Sequence, residues 1–183
     1  MNYKDVNKLS NKKINLLLFF NFFLRIVGAI KKIDFYHFQI YIFYCMYQNT
    51  TKIRVRYAET DQMGFVYHGN YIPYVEMGRL EWLRALGLSY KEMEENGIML
   101  PVYALNFRYI KSAFYDDELQ VVTTLKSLPT TRIEFYYEIF NPKGELISTA
   151  ETTLIFVSMK TKRPMRCPDY ILDKIKNSEY QIK

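Results

Sequence analysis

The sequence predicts an α+β fold in which one antiparallel β-sheet wraps around a long central helix. Three observations carry this expectation. Residues 70–86 form a helical stretch that is apolar on nearly every side. From Ile98 onward four strand-like runs follow one another, two of them joined by a tight turn. At 183 residues the chain has the length of one domain with a substantial core, and no internal repeat or low-complexity linker marks a second.

In chain order, Lys52 to Tyr57 alternates, with Ile53, Val55 and Tyr57 on one side and Lys52, Arg54 and Arg56 on the other, which predicts a half-buried strand. The loop from Ala58 to Gly69 follows. Asn70 is expected to cap the next helix, its side-chain oxygen accepting an orphan backbone N–H. Pro73 fits the first turn, where no donor is lost. Ile72, Tyr74, Val75, Met77, Leu80, Trp82, Leu83 and Leu86 leave the helix little polar surface, so most of it should be covered. Gly78 costs up to about 1 kcal/mol in helix propensity, and a close approach of sheet backbone would account for it. Gly87 stops the helix.

Ser89-Tyr90-Lys91-Glu92 matches a capping box and opens a short second helix, which Asn96-Gly97 ends. The strand runs are Met99–Lys111, Leu119–Lys126, Arg132–Phe140 and Glu145–Ser158, read as a meander. Asp116-Asp117-Glu118 is a charged loop. Asn141-Pro142-Lys143-Gly144 is a tight turn with Pro at its second position, which makes the last two runs a hairpin. Pro168–Lys176 has the pattern of a short terminal helix.

Charge is unevenly spread. Residues 1–45 hold seven Lys/Arg and two Asp, whereas residues 46–183 hold eighteen Lys/Arg and seventeen Asp/Glu. The folded part is therefore close to neutral, which argues against a nucleic-acid partner. Residues 1–45 also lack Pro, Thr, Glu and Trp, and Phe, Ile, Lys, Asn and Tyr make up 28 of the 45. These types share A/T-rich codons. We expect residues 1–45 to be a non-domain leader, an upstream translation ahead of a true start at Met46, and residues 46–183 to be the domain. The alternatives for this stretch are a signal or anchor segment and an interfacial amphipathic helix. Leu16–Leu24 is too short to cross a bilayer, which needs ~20 apolar residues, so membrane association is not expected. Two scattered Cys and two His do not match metal-ligand spacing, so neither a metal nor another cofactor is expected, and two free thiols suit a cytoplasmic protein.

The chemistry gathers in Glu59-Thr60-Asp61-Gln62-Met63-Gly64-Phe65-Val66-Tyr67-His68-Gly69-Asn70-Tyr71, a carboxylate and a His between a strand and a helix N-terminus. This segment resembles the active-site segment of the 4-hydroxybenzoyl-CoA thioesterase family of hotdog-fold acyl-CoA thioesterases, closest to the bacterial type found beside Tol–Pal genes. The resemblance continues through Glu76-Met77-Gly78-Arg79, Glu81–Gly87 and Phe114–Leu119, and it spans roughly residues 52–168.

The resemblance implies a hotdog fold and hydrolysis of an acyl-CoA or acyl-carrier thioester. It implies that Asp61 is the catalytic carboxylate, as nucleophile or as general base for water; both suit a thioester, whose thiolate leaves readily. It further implies that the backbone N–H at His68 polarises the carbonyl, in keeping with the partial positive charge of helix-terminal amides. The His68 side chain then orients the loop or substrate. Gly64 is expected to turn the loop at positive φ. Tyr67 is a candidate for the acyl pocket, and Asn70 is grouped with the substrate-binding residues. Arg132 and the Lys160, Lys162, Arg163 and Arg166 run are candidates for the CoA phosphates. Glu76, inside the helix, is a secondary catalytic candidate with a structural or interface role preferred. A homodimer or homotetramer is implied. The alternative is a non-catalytic module that binds acyl-CoA or an acyl carrier protein, which would have no use for a carboxylate at Asp61. G-x-S-x-G, Walker A and G-x-G-x-x-G patterns are absent.

Overall fold

The computed structural model describes residues 47–177; the expected leader over residues 1–45 lies outside them. The described elements begin with β1 (Gln48–Arg54), α1 (Tyr71–Ala85), α2 (Tyr90–Glu95), β2 (Ile98–Met99) and β3 (Val102–Tyr109). They continue with β4 (Glu118–Leu125), β5 (Arg132–Phe140), β6 (Leu146–Ile155), β7 (Val157–Ser158) and α3 (Asp169–Asn177). Five strands form an antiparallel sheet in the order β1-β4-β5-β6-β3, and β2 and β7 form a separate ribbon.

The alternation in the sequence places the core. Leu119 and Val121 of β4, Phe135, Tyr137 and Ile139 of β5, and Ala150 and Leu154 of β6 are buried, one residue in two along each strand. Against them α1 buries Tyr71, Tyr74, Val75, Gly78, Arg79, Trp82 and Leu83, the i, i+3, i+4, i+7 spacing of a single helix face. Trp82 is fully buried, edge-on to Phe135 with ring centroids 5.1 Å apart. Its Nε1–H donates to the Tyr47 carbonyl at 2.9 Å.

Several expectations are corrected here. β4, β5 and β6 are a meander, but β3 sits beside β6 at the far edge. The reason is that β1 occupies the free side of β4, in register from Gln48↔Thr124 to Arg54↔Glu118. The 99–111 run is broken at Leu100-Pro101, since proline offers no N–H to a ladder, and β3 begins with a bulge between Val102 and Ala104. The 145–158 run divides at Phe156 into β6 and β7. β1 ends at Arg54, and Tyr57, expected on the buried side, is 78% exposed in a 3₁₀ turn. The helix is covered on one face only: Ile72 and Met77 stay exposed.

Gly78 does mark a close approach, but of side chains rather than backbone. A Cβ there would lie 2.6 Å from Thr123 Oγ1 and 3.0 Å from Val121 Cγ1. At the end of α1, Gly87 takes φ +67, with Gly87 N–H donating to Arg84 O and Leu88 N–H to Leu83 O, a Schellman ending. Ser89 caps α2 by accepting from Glu92 N–H. The Asn141–Gly144 turn closes as expected, Gly144 N–H donating to Asn141 O at 2.9 Å. Among the described residues no helix is long and apolar enough to cross a membrane.

Candidate active site

Thr60 and Val66 pair as an antiparallel bridge and close a small hairpin with Asp61 to Gly64 at its tip. Asp61 N–H donates to Phe65 O and Gly64 N–H to Asp61 O, each at 3.0 Å. This is a turn followed by one extra residue in the left-handed region, and Gly64 takes it at φ +81. A Cβ at Gly64 would meet nothing within 4 Å, so the backbone angle alone asks for glycine. Asp61 Oδ1 accepts Met63 N–H at 2.8 Å, an Asx turn that fixes the carboxylate on its own loop. Its Oδ2 makes no hydrogen bond among the described residues.

Glu59 ties this hairpin to the helix. It is buried. Its Oε2 accepts from Arg56 N–H and from the Tyr74 hydroxyl, each at 2.7 Å, and its Oε1 accepts from Arg56 Nε and Nη2. Burial pushes the Glu59 carboxyl up, but the bonds from Arg56 and Tyr74 outweigh it and hold the group below its ordinary value. Burial and the neighbouring Glu59 carboxylate push the Tyr74 phenol up. The Glu59 backbone carbonyl accepts from Tyr67 N–H at 2.9 Å and from Asn70 Nδ2 at 2.7 Å.

The chain enters α1 through a 3₁₀ turn, His68–Asn70. Asn70 is not the expected N-cap. Its backbone is already helical, at φ −77 and ψ −8, and its side chain makes no cap bond; the side chain reaches back to Glu59 instead. The N–H groups of His68 and Gly69 have no hydrogen-bond partner among the described residues. These are the orphan donors of a helix entrance, at the positive end of its dipole. The His68 side chain is exposed, with its ring centroid 4.2 Å from that of Tyr67. Tyr109 Oη donates to the His68 carbonyl at 3.0 Å. A Cβ at Gly69 would come within 2.8 Å of Tyr67 Cε1, so the exposed Tyr67 ring closes over the main chain at that point.

Asp61, Gly64, Tyr67, His68 and Asn70 thus share one loop. Arg132 does not join them within the chain. It opens β5 and lies over the Tyr103 ring, 5.2 Å from its centroid. Tyr103 is six residues along β3 from Tyr109, roughly 20 Å at strand rise. The Lys160–Arg166 turn is at Arg132's end of the sheet, since Phe156 N–H donates to Thr131 O and Cys167 N–H to Thr130 O. The sequence alone points to no role for Glu59 or Tyr74. Their only signal there is a carboxylate closing a strand and a tyrosine one turn into an apolar helix, and folding brings the two together.

Residues 55–175 match the family model of the thioesterase-like superfamily. The chain belongs to that superfamily. The hotdog fold expected from the motif is the fold observed. Within the superfamily, the Bacillus subtilis protein YneP, an acyl-CoA thioesterase by name, is 37% identical over 121 residues, covering 66% of this chain and 88% of its own length. The acyl-CoA thioester hydrolase YbgC of Escherichia coli is 29% identical over 124 residues, covering 68% of this chain and 92% of its own. Among solved structures, a DHNA-CoA thioesterase from Staphylococcus aureus is similar with TM-score 0.63 at 45% identity, covering 65% of this chain and 80% of that one.

Proposed function

We propose that this chain is an acyl-CoA thioesterase that hydrolyses its substrate to a free carboxylic acid and CoA. Asp61 attacks the thioester carbonyl carbon or activates the attacking water, and the unpaired amides at the α1 entrance, that of His68 foremost, hold the developing oxyanion. The observation that carries this reading is the pairing of two half-sites by one residue. A carboxylate with a free oxygen and a set of orphan N–H groups stand on two arms that Glu59 binds together. One such donor is typically worth about 2.7–4 kcal/mol in the transition state.

The test is release of CoA thiol from a panel of acyl- and aroyl-CoAs, with Asp61→Asn as the comparison. Asparagine keeps an oxygen for the Met63 N–H, so the loop is preserved while the carboxylate is lost. The expected drop is on the order of 10²–10⁴-fold; full rate in Asp61→Asn would end the site assignment. A binding module that lacked catalysis would release no thiol from any of them.

The reading includes a homodimer, or a homotetramer built from it. β3 is an edge strand, and Val102, Tyr103 and Tyr109 on it are about half exposed or more. Such an apolar edge beside the open Ile72 face of α1 suits pairing with a second copy. Antiparallel pairing of two β3 edges would set one copy's Tyr103–Arg132 end against the other's Tyr109–His68 end. This supports Arg132 as a phosphate ligand acting on the partner's bound CoA. Sedimentation equilibrium gives the mass that checks it. A cytoplasmic enzyme starting at Met46 completes the proposal, and intact-mass measurement of the native protein tests the start.

A further inference from the structure

A cavity of about 80 Å³ lies between α1 and the β3–β6 edge. Ile72 and Val102 flank its open side, and Arg79 and Thr152, both nearly fully buried, lie at its closed end. The chemistry at Asp61 uses none of the polar groups there.

Those groups are short of partners. Thr152 Oγ1 and the Tyr137 hydroxyl are both buried, and Tyr137 stands close enough to Thr152 and Arg79 to interact with each; beyond one another, these groups leave neither oxygen a partner among the described residues. Arg79 Nε donates to Tyr90 Oη at 3.0 Å. The terminal nitrogens of its guanidinium have only the Tyr137 hydroxyl beside them, and no carboxylate among the described residues is paired with it, Glu76 one turn earlier included. Buried hydroxyls are nearly always satisfied, and a buried cation is costly unless an anion meets it. What remains is a cluster of donors around a positive charge with no anion against it among the described residues. Their complement is a carboxylate, which accepts from a guanidinium fork and from hydroxyls together.

The placement gives that carboxylate a source. Ile72 is the second residue of α1, next to the proposed oxyanion donors. Arg79 lies eight residues from Tyr71, about 12 Å along the helix axis at 1.5 Å per residue. An acyl group whose carbonyl sits at the His68 amide, and whose chain follows α1, brings its far end to Arg79 and Thr152. Glu76 is also on the cavity wall, but it is exposed, where solvent screens its charge.

We infer that this cavity receives a carboxylate at the distal end of the acyl group, so that the preferred substrates are CoA monothioesters of dicarboxylic acids. The inference rests on the acyl-CoA reading above and names the substrate class of that same site.

The experiment compares kcat/KM for adipoyl-CoA with hexanoyl-CoA and for suberoyl-CoA with octanoyl-CoA. The wild type is expected to favour the carboxylate-ended member of at least one pair roughly tenfold or more, the scale of a charge-assisted bond. Thr152→Val removes one donor at nearly constant shape, and Arg79→Lys keeps the charge but loses the fork; each is expected to pull that ratio toward one. A wild type that cleaves the methyl-ended thioesters as fast as their carboxylate-ended counterparts overturns the subsite and leaves the thioesterase reading standing. A ratio that Thr152→Val and Arg79→Lys both leave unchanged overturns it too. Release of CoA from none of the four, nor from any aroyl-CoA, removes the reading beneath it as well.

Discussion

The Tyr74 hydroxyl donates to Glu59 Oε2 at 2.7 Å, joining two residues 15 apart in sequence. Tyr74 is in the first turns of α1, and Glu59 leads into the hairpin that carries Asp61. The bond makes the catalytic loop and the helix entrance one unit, which Asn70 Nδ2 and Tyr67 N–H strengthen by donating to the Glu59 carbonyl.

Glu59→Gln is expected to destabilise the fold by about 1–3 kcal/mol, because a buried acceptor of several donors becomes a weaker one. The pH dependence has a definite sign. The folded carboxyl is held below its ordinary value, so its stabilisation is present above that ordinary value and is lost as pH falls through the lowered folded value. Urea midpoints of wild type and variant should differ at pH 7 and converge in acid. A constant difference down to pH 2 would contradict this account.

His68→Ala is expected to retain activity within about tenfold of wild type, because the proposed donor is the main-chain N–H and not the imidazole. Tyr109→Phe, which frees the His68 carbonyl, should instead lower kcat more than it raises KM. A loss from His68→Ala as large as that from Asp61→Asn would move the chemistry onto the side chain.

Gly78→Ala gains helix propensity and still should lose about 1–3 kcal/mol, since the new methyl overlaps Thr123 Oγ1 and Val121 Cγ1. Both neighbours are β-branched on a packed sheet and give little room. Thr123→Ala in the same chain should recover most of the loss, a coupling that a double-mutant cycle in urea measures.

The Cys167 thiol is buried, and burial, with Asp169 adding to it, pushes it up to about 12. In a Cys45→Ser background it should not react with a disulfide reagent at pH 8 until the protein unfolds, because the thiolate is the reactive form. Fast labelling of the native protein would show that the α3 end of the domain opens.

Local signals were enough for much of the fold. Gly87, Ser89 and the Asn141–Gly144 turn act through their own backbone or nearest neighbours, and each does in the structure what its residue type dictates. Asp61 and Gly64 were legible for the same reason, since a turn with an Asx residue and a positive-φ glycine is a property of four or five consecutive residues. Asn70 misled because its residue type fits a cap and a side-chain donor equally well, and only the nearby Glu59 carbonyl decides between them. Tyr57 misled because the alternation continues past the point where β1 loses its partner strand.

By itself, then, the sequence determined the elements, the motif around Asp61 and the family they resemble, since periodicity, turn chemistry and residue spacing are short-range. Tertiary structure alone decided that β3 occupies the outer edge, that Glu59 meets Tyr74, and that Arg132 stands a strand's length from His68. It also decided that Arg79 is buried with no carboxylate paired to it among the described residues. Each of these depends on which strand edges and buried charges remain unpaired once the chain has closed on itself, and that is a property of the whole domain.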